Sequence, residues 1–289
     1  MNPTRLDRWL RRLYPALTQG VIEKLLREKK ILVEGSKAFA STRIMEENQV
    51  TFKTDLKIYE QPLPVKNLTH TYTSKDRAYL QSMILWEDND ICVLNKPTGL
   101  AVQGGTHTPY HLDGLLQAHG SYKLVHRLDR DTSGVLVVAK TLEMAQYLHH
   151  SFKNRQVQKV YWAVVEGVPN PTYGSITDSI PDKDKERMAE AKEALTSYRL
   201  LKKLDSQTSW VELKPHTGRT HQLRLHMASI GCAIWGDGKY GSLHPKDLLQ
   251  LHAWRLSIPI PTQSYPLTFT APPSESMVSL LKEFGCTTE

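Results

Sequence analysis

Residues 126–140 read "HRLDRDTSGVLVVAK", and this stretch combines a charged turn with an apolar run. The run Val135–Ala139 follows a turn-forming Thr-Ser-Gly, which is typical of a strand in the interior of a sheet. Asp129 precedes that turn and lies between Arg127 and Arg130. A carboxylate beside guanidinium groups stays ionised, because adjacent positive charge favours its charged form. The stretch therefore predicts an ionised carboxylate at the mouth of a buried strand.

Asp129 has two interpretations. A lone aspartate in an arginine-rich loop most often caps a turn. The neighbouring charges favour a reactive carboxylate instead, either a nucleophile or a base that is needed in its charged form. Holding such a group requires an arginine partner and a rigid strand. Arg219 in "TGRTHQLR" is a candidate for that partner from a distant part of the chain.

Size and composition limit the class of protein. A chain of 289 residues favours one large domain and one small domain. Its net charge of +7 and isoelectric point of about 9.2 favour a polyanionic partner. The three cysteines are far apart in sequence, so reduced thiols in the cytoplasm are expected rather than disulfides or a cysteine zinc site. No apolar run is long enough to cross a bilayer, and the first residues lack the apolar core of a signal peptide.

Metal and cofactor motifs are missing from the sequence. His216, His221 and His226 repeat every five residues, which is not the i, i+4 spacing of two ligands on one helix face. The glycines match neither of the common nucleotide-binding loops. We therefore expect no metal and no organic cofactor.

The first 60 residues are basic and have their own helical pattern. Leucines at positions 6, 10, 13 and 17 predict an amphipathic helix that Pro15 ends early, and Thr18 can cap a second helix. Twelve Lys and Arg against eight Asp and Glu give 12 − 8 = +4, over half of the chain's net charge. Such charges form a solvated helix surface or pair with phosphates, and charge alone does not decide. The basic residues on or beside these helices are Arg5, Arg8, Arg11, Arg12, Lys24, Arg27, Lys29 and Lys30.

The rest of the chain predicts a linker and an α+β domain. Residues 61–82 have two prolines and no sustained period, which predicts a linker. In residues 83–289, frequent hairpin patterns and irregularly alternating helices predict a mostly antiparallel sheet. Residues 217–232 predict a loop that leads into a helix, and residues 181–193 predict a mobile, solvated loop. The helix is expected to end at Gly231 and to face inward with Leu223, Met227 and Ile230.

Three motifs occur in a characteristic order: "HRLDRDTSG" (126–134), "KVYWAVVEG" (159–167) and "TGRTHQLRLH" (217–226). Together they resemble the signature motifs of the RluA family of RNA pseudouridine synthases. The stretch "VLNKPTGLAVQGG" (93–105) is similar to the Asn-Lys-Pro segment that precedes them in that family. The segments "GDGKYG", "LHA" and "FTAPP" are similar to later parts of the family. The resemblance extends from residue 83 to about residue 275 and implies the pseudouridine synthase fold.

The resemblance implies a role for five residues. Asp129 matches the catalytic aspartate, which acts either as nucleophile at C1′ or as base at C2′ of a uridine. Tyr161 matches the tyrosine whose ring packs on the uracil and whose hydroxyl helps to remove the C5 proton. Arg219 matches the arginine that pairs with that aspartate, and Leu223 matches an apolar position beside the base. Arg127 matches an arginine that fills the gap left by the flipped uridine, which partly offsets the cost of unstacking it.

The resemblance also implies a substrate and an accessory domain. Residues 5 to about 60 resemble the S4 RNA-binding domain, so residues 1–60 are expected to form an S4-like domain. Two acids replace residues that are usual there, in "VEG" and "EENQV", and they are expected to weaken its RNA contact. The stretch "GLAVQGG" is more similar to the RluC branch, which modifies large-subunit ribosomal RNA. The expected protein is a cytoplasmic monomer that acts on this RNA or a pre-ribosomal particle, with no membrane contact.

Other functions stay open at this point. An RluD-like or tRNA-directed synthase would share the same motifs. A non-catalytic ribosomal RNA-binding assembly factor would be expected to lose Asp129, Tyr161 or Arg219, and all three are present. A nucleosidase or glycosidase commonly uses two carboxylates, and only Asp131 lies close to Asp129 in the sequence. The products separate this last case, because isomerisation conserves mass and hydrolysis releases uracil.

Overall fold

The computed structural model describes residues 3–45, 47–60, 71–105, 108–180, 192–261 and 263–287. The chain divides into two compact units, residues 1–68 and 69–289. Across these described ranges, no helix combines the length and apolar character needed to span a bilayer. The loop predicted over residues 181–193 lies outside the described residues up to residue 191, and a strand begins at Lys192.

The first unit is built from short elements. Its helices are α1 (Leu6–Leu13) and α2 (Gln19–Arg27), and a 3₁₀ helix follows at Lys57–Tyr59. Its strands are β1 (Thr4–Arg5), β2 (Ile31–Val33), β3 (Ser36–Lys37), β4 (Arg43–Ile44) and β5 (Val50–Phe52). Strand β2 is the centre of a three-stranded sheet in the order β3-β2-β5, and β1 pairs with β4.

Both predicted helices of the first unit are confirmed, with their expected ends. Helix α1 ends before Pro15, and the Thr18 hydroxyl accepts the Val21 N–H at the start of α2 (3.4 Å). Their apolar faces meet in a core of their own, whose most buried members are Leu6, Leu10, Leu17, Ile22 and Ile31.

The second unit contains five helices and ten strands within its described residues. The helices are α3 (Ser74–Ser82), α4 (Leu112–His119), α5 (Leu142–Lys153), α6 (Gln222–Ser229) and α7 (Glu275–Glu283). The first five strands are β6 (Ile84–Glu87), β7 (Ile91–Lys96), β8 (Lys123–Leu124), β9 (Ser133–Ala139) and β10 (Gln158–Glu166). The remaining strands are β11 (Tyr173–Ile180), β12 (Lys192–Lys203), β13 (Thr208–Pro215), β14 (Leu251–Ile258) and β15 (Leu267–Thr270).

These ten strands form one sheet in the order β11-β12-β13-β10-β14-β9-β7-β6, with β15 beside β14 and β8 beside β9. The pair β9–β14 is parallel, and the other named pairs are antiparallel. The predicted α+β class with a mostly antiparallel sheet is therefore confirmed.

Strand β9, the apolar run of the opening stretch, lies between β7 and β14 and is buried along its whole length. Gly134 lies against Ala253 of β14 with a φ of +112°, and a Cβ at this position would overlap the Ala253 backbone. Only glycine adopts this conformation without strain. The Thr-Ser-Gly turn therefore allows β9 to approach β14 closely, and it places the preceding loop at one end of the sheet.

Two predictions about local structure are wrong. The linker predicted over residues 61–82 is helical in α3, where the Asp76 carboxylate accepts the Thr73 N–H (2.7 Å) and Leu80 is buried. Residues 61–70 lie outside the described residues. Ile230 was expected to face inward but is 37% exposed, because α6 ends at Ser229 and Gly231 turns the chain with a φ of +73°.

Candidate active site

A cavity of about 620 Å³ lies beside the loop that precedes β9. Its walls also include β10, the end of α5 with the residues that follow it, and the loop between β13 and α6. The five motif residues predicted for the site all line it: Arg127, Asp129, Tyr161, Arg219 and Leu223. The fold therefore brings together side chains from three motifs that are far apart in the sequence.

A buried lysine anchors the loop that carries Asp129. The Lys96 ammonium donates to the carbonyl oxygens of Pro97 (2.8 Å), Leu100 (2.9 Å) and Arg130 (2.9 Å). These three bonds use all three of its donors. Burial lowers the pKa of Lys96 to about 7, and the carboxylates of Asp131 and Asp129 oppose this shift. Lys96 thus ties the segment after β7 to the residue that follows Asp129.

A buried histidine holds the other end of the same loop. His252 Nε2 lies 3.1 Å from the Ala271 carbonyl oxygen, which can only accept, so this nitrogen carries the proton. Its Nδ1 therefore accepts the hydroxyl proton of Ser133 across 2.9 Å. Burial lowers the pKa of His252 to about 4, so the ring stays neutral at neutral pH. Ser133 is the first residue of β9, and this contact joins β9 to β14.

The arginine partner predicted for Asp129, Arg219, binds elsewhere, and so does the neighbouring Arg130. Arg130 Nε pairs with the Asp131 carboxylate at 3.0 Å. Arg219 donates to the Glu193 carbonyl oxygen of β12 (3.4 Å), and its buried Nε has no hydrogen-bond partner among the described residues. Arg219 and Asp129, both among the described residues, do not form the predicted ion pair. The Arg219 guanidinium extends towards β12 instead.

His221 is the basic side chain that approaches Asp129 instead. Its Nε2 lies 3.9 Å from the Asp129 carboxylate, and its Nδ1 is hydrogen-bonded to the Tyr240 hydroxyl at 2.9 Å. His221 has a φ of +56° at the start of α6, a backbone conformation that is uncommon outside glycine. This backbone conformation and the Tyr240 contact together set the position of the ring.

A buried ion pair supports Tyr240 in turn. Arg224 of α6 donates two bonds to the Asp237 carboxylate, at 2.7 Å and 2.6 Å, and its guanidinium lies 5.1 Å from the Tyr240 ring centre. Asp237 and Tyr240 belong to "GDGKYG", a segment that resembled the family but to which sequence reasoning gave no role. The sequence feature that could have pointed to their role is an aspartate and a tyrosine within a glycine-flanked turn.

Tyr161 of β10 lines the cavity together with Asp129. Burial, and then the nearby Asp129 charge, raise the pKa of Tyr161 well above its ordinary value. Its hydroxyl is therefore protonated at neutral pH. Leu223 adds an apolar wall that is 7% exposed, and Arg127 is exposed where it lines the cavity.

The basic residues predicted to bind RNA lie in the first unit. Arg5 differs from the rest, because its guanidinium forms two hydrogen bonds with the Asp7 carboxylate, at 3.1 Å and 2.6 Å. Lys30 pairs with the Glu28 carboxylate at 2.8 Å. Apart from Arg5, the predicted cations are all exposed: Arg8, Arg11, Arg12, Lys24, Arg27, Lys29 and Lys30.

The chain is similar to known proteins of one family, and the matched region includes the five motif residues of the site. A profile of the family described as RNA pseudouridylate synthase matches residues 90–229. Ribosomal large subunit pseudouridine synthase C of Rickettsia bellii is 41% identical over 254 residues, which cover 83% of this chain and 83% of that protein. Ribosomal large subunit pseudouridine synthase D of Borreliella burgdorferi is 38% identical over 205 residues, which cover 63% of this chain and 62% of that protein.

A solved structure gives the same result for the fold. Human RNA pseudouridylate synthase domain containing 4 matches with a TM-score of 0.64 and 28% sequence identity, covering 73% of this chain and 96% of that one. The motifs, the cavity that they line and these relatives agree. This chain therefore belongs to the RNA pseudouridylate synthase family.

Proposed function

We propose that this protein converts specific uridines of large-subunit ribosomal RNA into pseudouridine, with Asp129 as the catalytic carboxylate. The observation that carries the proposal is the cavity in which Asp129, Tyr161 and Leu223 meet from three separate motifs. The substrate class is supported by the relatives named for the large ribosomal subunit.

The reaction is an isomerisation that conserves mass. The N1–C1′ bond breaks, the base turns, and a C5–C1′ bond forms, while C5 loses a proton and N1 gains one. Asp129 acts either by attacking C1′ or by taking the proton at C2′. Because the Tyr161 hydroxyl is protonated, it can accept the C5 proton only by passing its own proton on. Asp129, whose charge contributes to that raised pKa, is the nearby acceptor.

The other cavity residues bind the flipped nucleotide or occupy the space that it leaves. Leu223 contacts the base through its apolar side chain, and Arg127 is exposed and can occupy the space that the uridine leaves. Arg219 has unused donor capacity at its buried Nε, which suits pairing with Asp129 once the substrate RNA is in place. In this proposal the Arg219–Asp129 pair belongs to the RNA complex.

The first unit acts as an S4-like RNA-binding module in a cytoplasmic monomer. Its exposed cations and its share of the net charge, 12 − 8 = +4, suit capture of a polyanion. It contributes no residue to the catalytic motifs, which all follow residue 90.

The test replaces the carboxylate in living cells and maps the product. In a strain that lacks the gene, Asp129→Asn should restore no pseudouridine in ribosomal RNA. Asp131→Asn, which changes a partly exposed carboxylate paired with Arg130, should restore the wild-type pattern. Because the Asn variant keeps every cation, its RNA affinity should stay within about twofold of wild type.

The same map distinguishes the alternatives. Product at positions typical of an RluD-like enzyme, towards which the Borreliella relative points, or in tRNA would change the substrate assignment. Full restoration by Asp129→Asn would contradict the catalytic assignment and favour an assembly factor. Release of free uracil by the purified protein would favour a nucleosidase.

A further inference from the structure

Lys159 is a cation on the cavity wall to which the reaction described above gives no role. It precedes Tyr161 by two positions on β10, and the register shifts between Val160 and Tyr161. Both side chains line the same cavity. The Lys159 ammonium lies against the loop before α6, 3.9 Å from the point where a Cβ on Gly218 would stand. The ammonium therefore lies on the cavity wall beside the Gly218 backbone.

A second cation stands near the first. Arg155 follows α5, lines the same cavity and is exposed. Burial lowers the pKa of Lys159, and the Arg155 charge lowers it further. In the part of the chain that the structure describes, neither side chain has a hydrogen bond within 3.5 Å or an ion pair within 4.0 Å.

The contrast with Lys96 shows what is missing. Lys96 is fully buried whereas Lys159 is half-buried. Three carbonyl oxygens accept the Lys96 donors, and two carboxylates favour its charge. Among the residues that the structure describes, no carboxylate opposes the effect of burial on the pKa of Lys159. A half-buried ammonium on the wall of a cavity, with no hydrogen bond or ion pair among the described residues, is available to bind an anionic ligand. The missing group is an anion that reaches the cavity from outside.

We propose that Lys159 and Arg155 bind a phosphodiester group of the substrate RNA beside the uridine that enters the cavity. The proposal rests on the proposed function and adds a contact to it. A phosphate has several anionic acceptor oxygens, and it can therefore bridge an ammonium and a guanidinium. The uridine would lie between Asp129 on one wall and this cation pair on another, with its backbone held on the side of β10 and α5.

The first experiment separates binding from chemistry. Single-turnover rates are measured against RNA concentration, with a short RNA that contains the mapped uridine. Lys159→Gln should raise the half-saturating RNA concentration by about tenfold or more, the size expected for losing a bond to a charged group. The rate at saturation should stay within about threefold of wild type, because Lys159 touches no reacting atom.

Two companion variants test the charge itself. Lys159→Arg should restore most of the affinity, because it keeps a cation at the site. The matched control is Lys203→Gln, which removes an exposed lysine of β12 that does not line the cavity and should change neither quantity. For Lys159→Gln, the magnitude of the log–log slope of affinity against salt should fall by about 0.7 for single-stranded RNA.

The second experiment identifies the phosphate. Uncharged methylphosphonate linkages are placed one at a time around the target uridine. At one linkage the neutral RNA should bind wild type and Lys159→Gln equally well, because the charge that Lys159 contacts is already gone. Inorganic phosphate at millimolar concentration should not compete with the RNA, which distinguishes a phosphodiester in a strand from a site for free phosphate.

Stability separates a ligand contact from a structural role. Removing a partly desolvated charge that has no partner among the described residues should leave the unfolding temperature of Lys159→Gln unchanged or raise it. If Lys159→Gln unfolds, the exposed Arg155→Gln repeats the test. A lower unfolding temperature and saturated rate at unchanged half-saturation would make Lys159 structural and overturn the inference. Equal affinities of wild type and variant, or no coupled linkage, would also overturn it. If the wild-type protein forms no pseudouridine, the proposed function is overturned as well. If the wild type is active but no methylphosphonate linkage removes the effect of Lys159→Gln, only this inference is overturned.

Discussion

At the scale of single residues, His221 stands between Asp129 and Tyr240. The distance of 3.9 Å from His221 Nε2 to the carboxylate is too long for a hydrogen bond, so the contact is electrostatic. The Tyr240 hydroxyl and His221 Nδ1 share a hydrogen bond of 2.9 Å, which holds the ring beside the carboxylate whichever of the two donates. The buried pair of Arg224 and Asp237 holds the residues around Tyr240. Tyr240 is therefore a positioning residue that acts on Asp129 through His221.

Removing the Tyr240 hydroxyl should slow the chemical step. Tyr240→Phe loses one hydrogen bond, and a loss of about 1 kcal/mol corresponds to about a fivefold lower saturated single-turnover rate. His221→Gln should lower the saturated rate as well. Adding Tyr240→Phe to His221→Gln should not lower the rate further, because both changes remove the same contact between Tyr240 and Asp129 through His221. The control is Tyr198→Phe, which removes a hydroxyl bonded to the Pro171 carbonyl oxygen (3.2 Å) away from the cavity. Independent, multiplying losses would contradict this role of Tyr240.

The residues that meet in the cavity could be predicted from motifs, but their contacts could not. Asp129, Tyr161 and Leu223 line one space as the motif order implies. Which side chain lies beside Asp129 depends on backbone detail, namely the positive φ of His221 and the direction of the Arg219 side chain. A sequence pattern contains the residue types and their order, whereas a shift of one side chain by a few ångströms decides an ion pair.

At the scale of elements, strand β9 is held by two neutral histidines, one from β14 and one from the loop before β9. His252 joins the strands through Ser133, and His126 Nε2 accepts the Val137 N–H of β9 at 3.0 Å. Burial lowers the pKa of His252 to about 4 and the pKa of His126 to about 3. The unfolded chain takes up these protons near pH 6.5, well before the folded chain does. Stability is therefore complete above pH 6.5 and falls as the pH drops towards 4.

The expected effect can be measured by denaturant unfolding between pH 7 and pH 4. The His252 shift alone corresponds to a loss on the order of 3 kcal/mol across that range. His252→Gln should lower stability at pH 7 but flatten its dependence on pH. His150→Gln, at an exposed histidine of α5, should leave the dependence unchanged. A dependence in His252→Gln as steep as in wild type would show that this histidine does not control acid unfolding.

Elements with a strong apolar periodic pattern were predictable, and helix α3, which lacks one, was not. Helix α3 reads "SKDRAYLQS" and buries mainly Leu80, so its composition is that of a linker. Its signal is the capping pair of Thr73 and Asp76, three residues apart, rather than an apolar stripe. Tyr110 from another segment also donates to the Asp76 carboxylate (3.0 Å), a tertiary contact that no local pattern contains.

At the scale of the whole molecule, the two units have separate cores and unequal charge. The core of the first unit uses residues from Leu6 to Tyr59, and the cores of the second unit use residues from Tyr72 to Cys286. A chain that starts at Thr71 keeps Tyr72 and α3, whereas a start near Gln81, which the predicted linker suggests, would remove the buried Leu80. The net charge of +7 divides into +4 before residue 61 and 7 − 4 = +3 after it.

A chain that starts at Thr71 should therefore fold and keep its saturated single-turnover rate, because every catalytic motif lies after residue 90. Its RNA binding should weaken, and the magnitude of its log–log salt slope should fall by about 0.7 to 0.9 for each phosphate that the first unit contacts. Its choice among uridines in long RNA should also become less strict. Affinity against salt and the saturated rate are measured for both chains, with full-length Lys24→Gln as a matched loss of one exposed cation. An equal slope in the two chains would exclude a capture role for the first unit. A collapsed rate in a folded, shortened chain would mean instead that the first unit helps to build the active site.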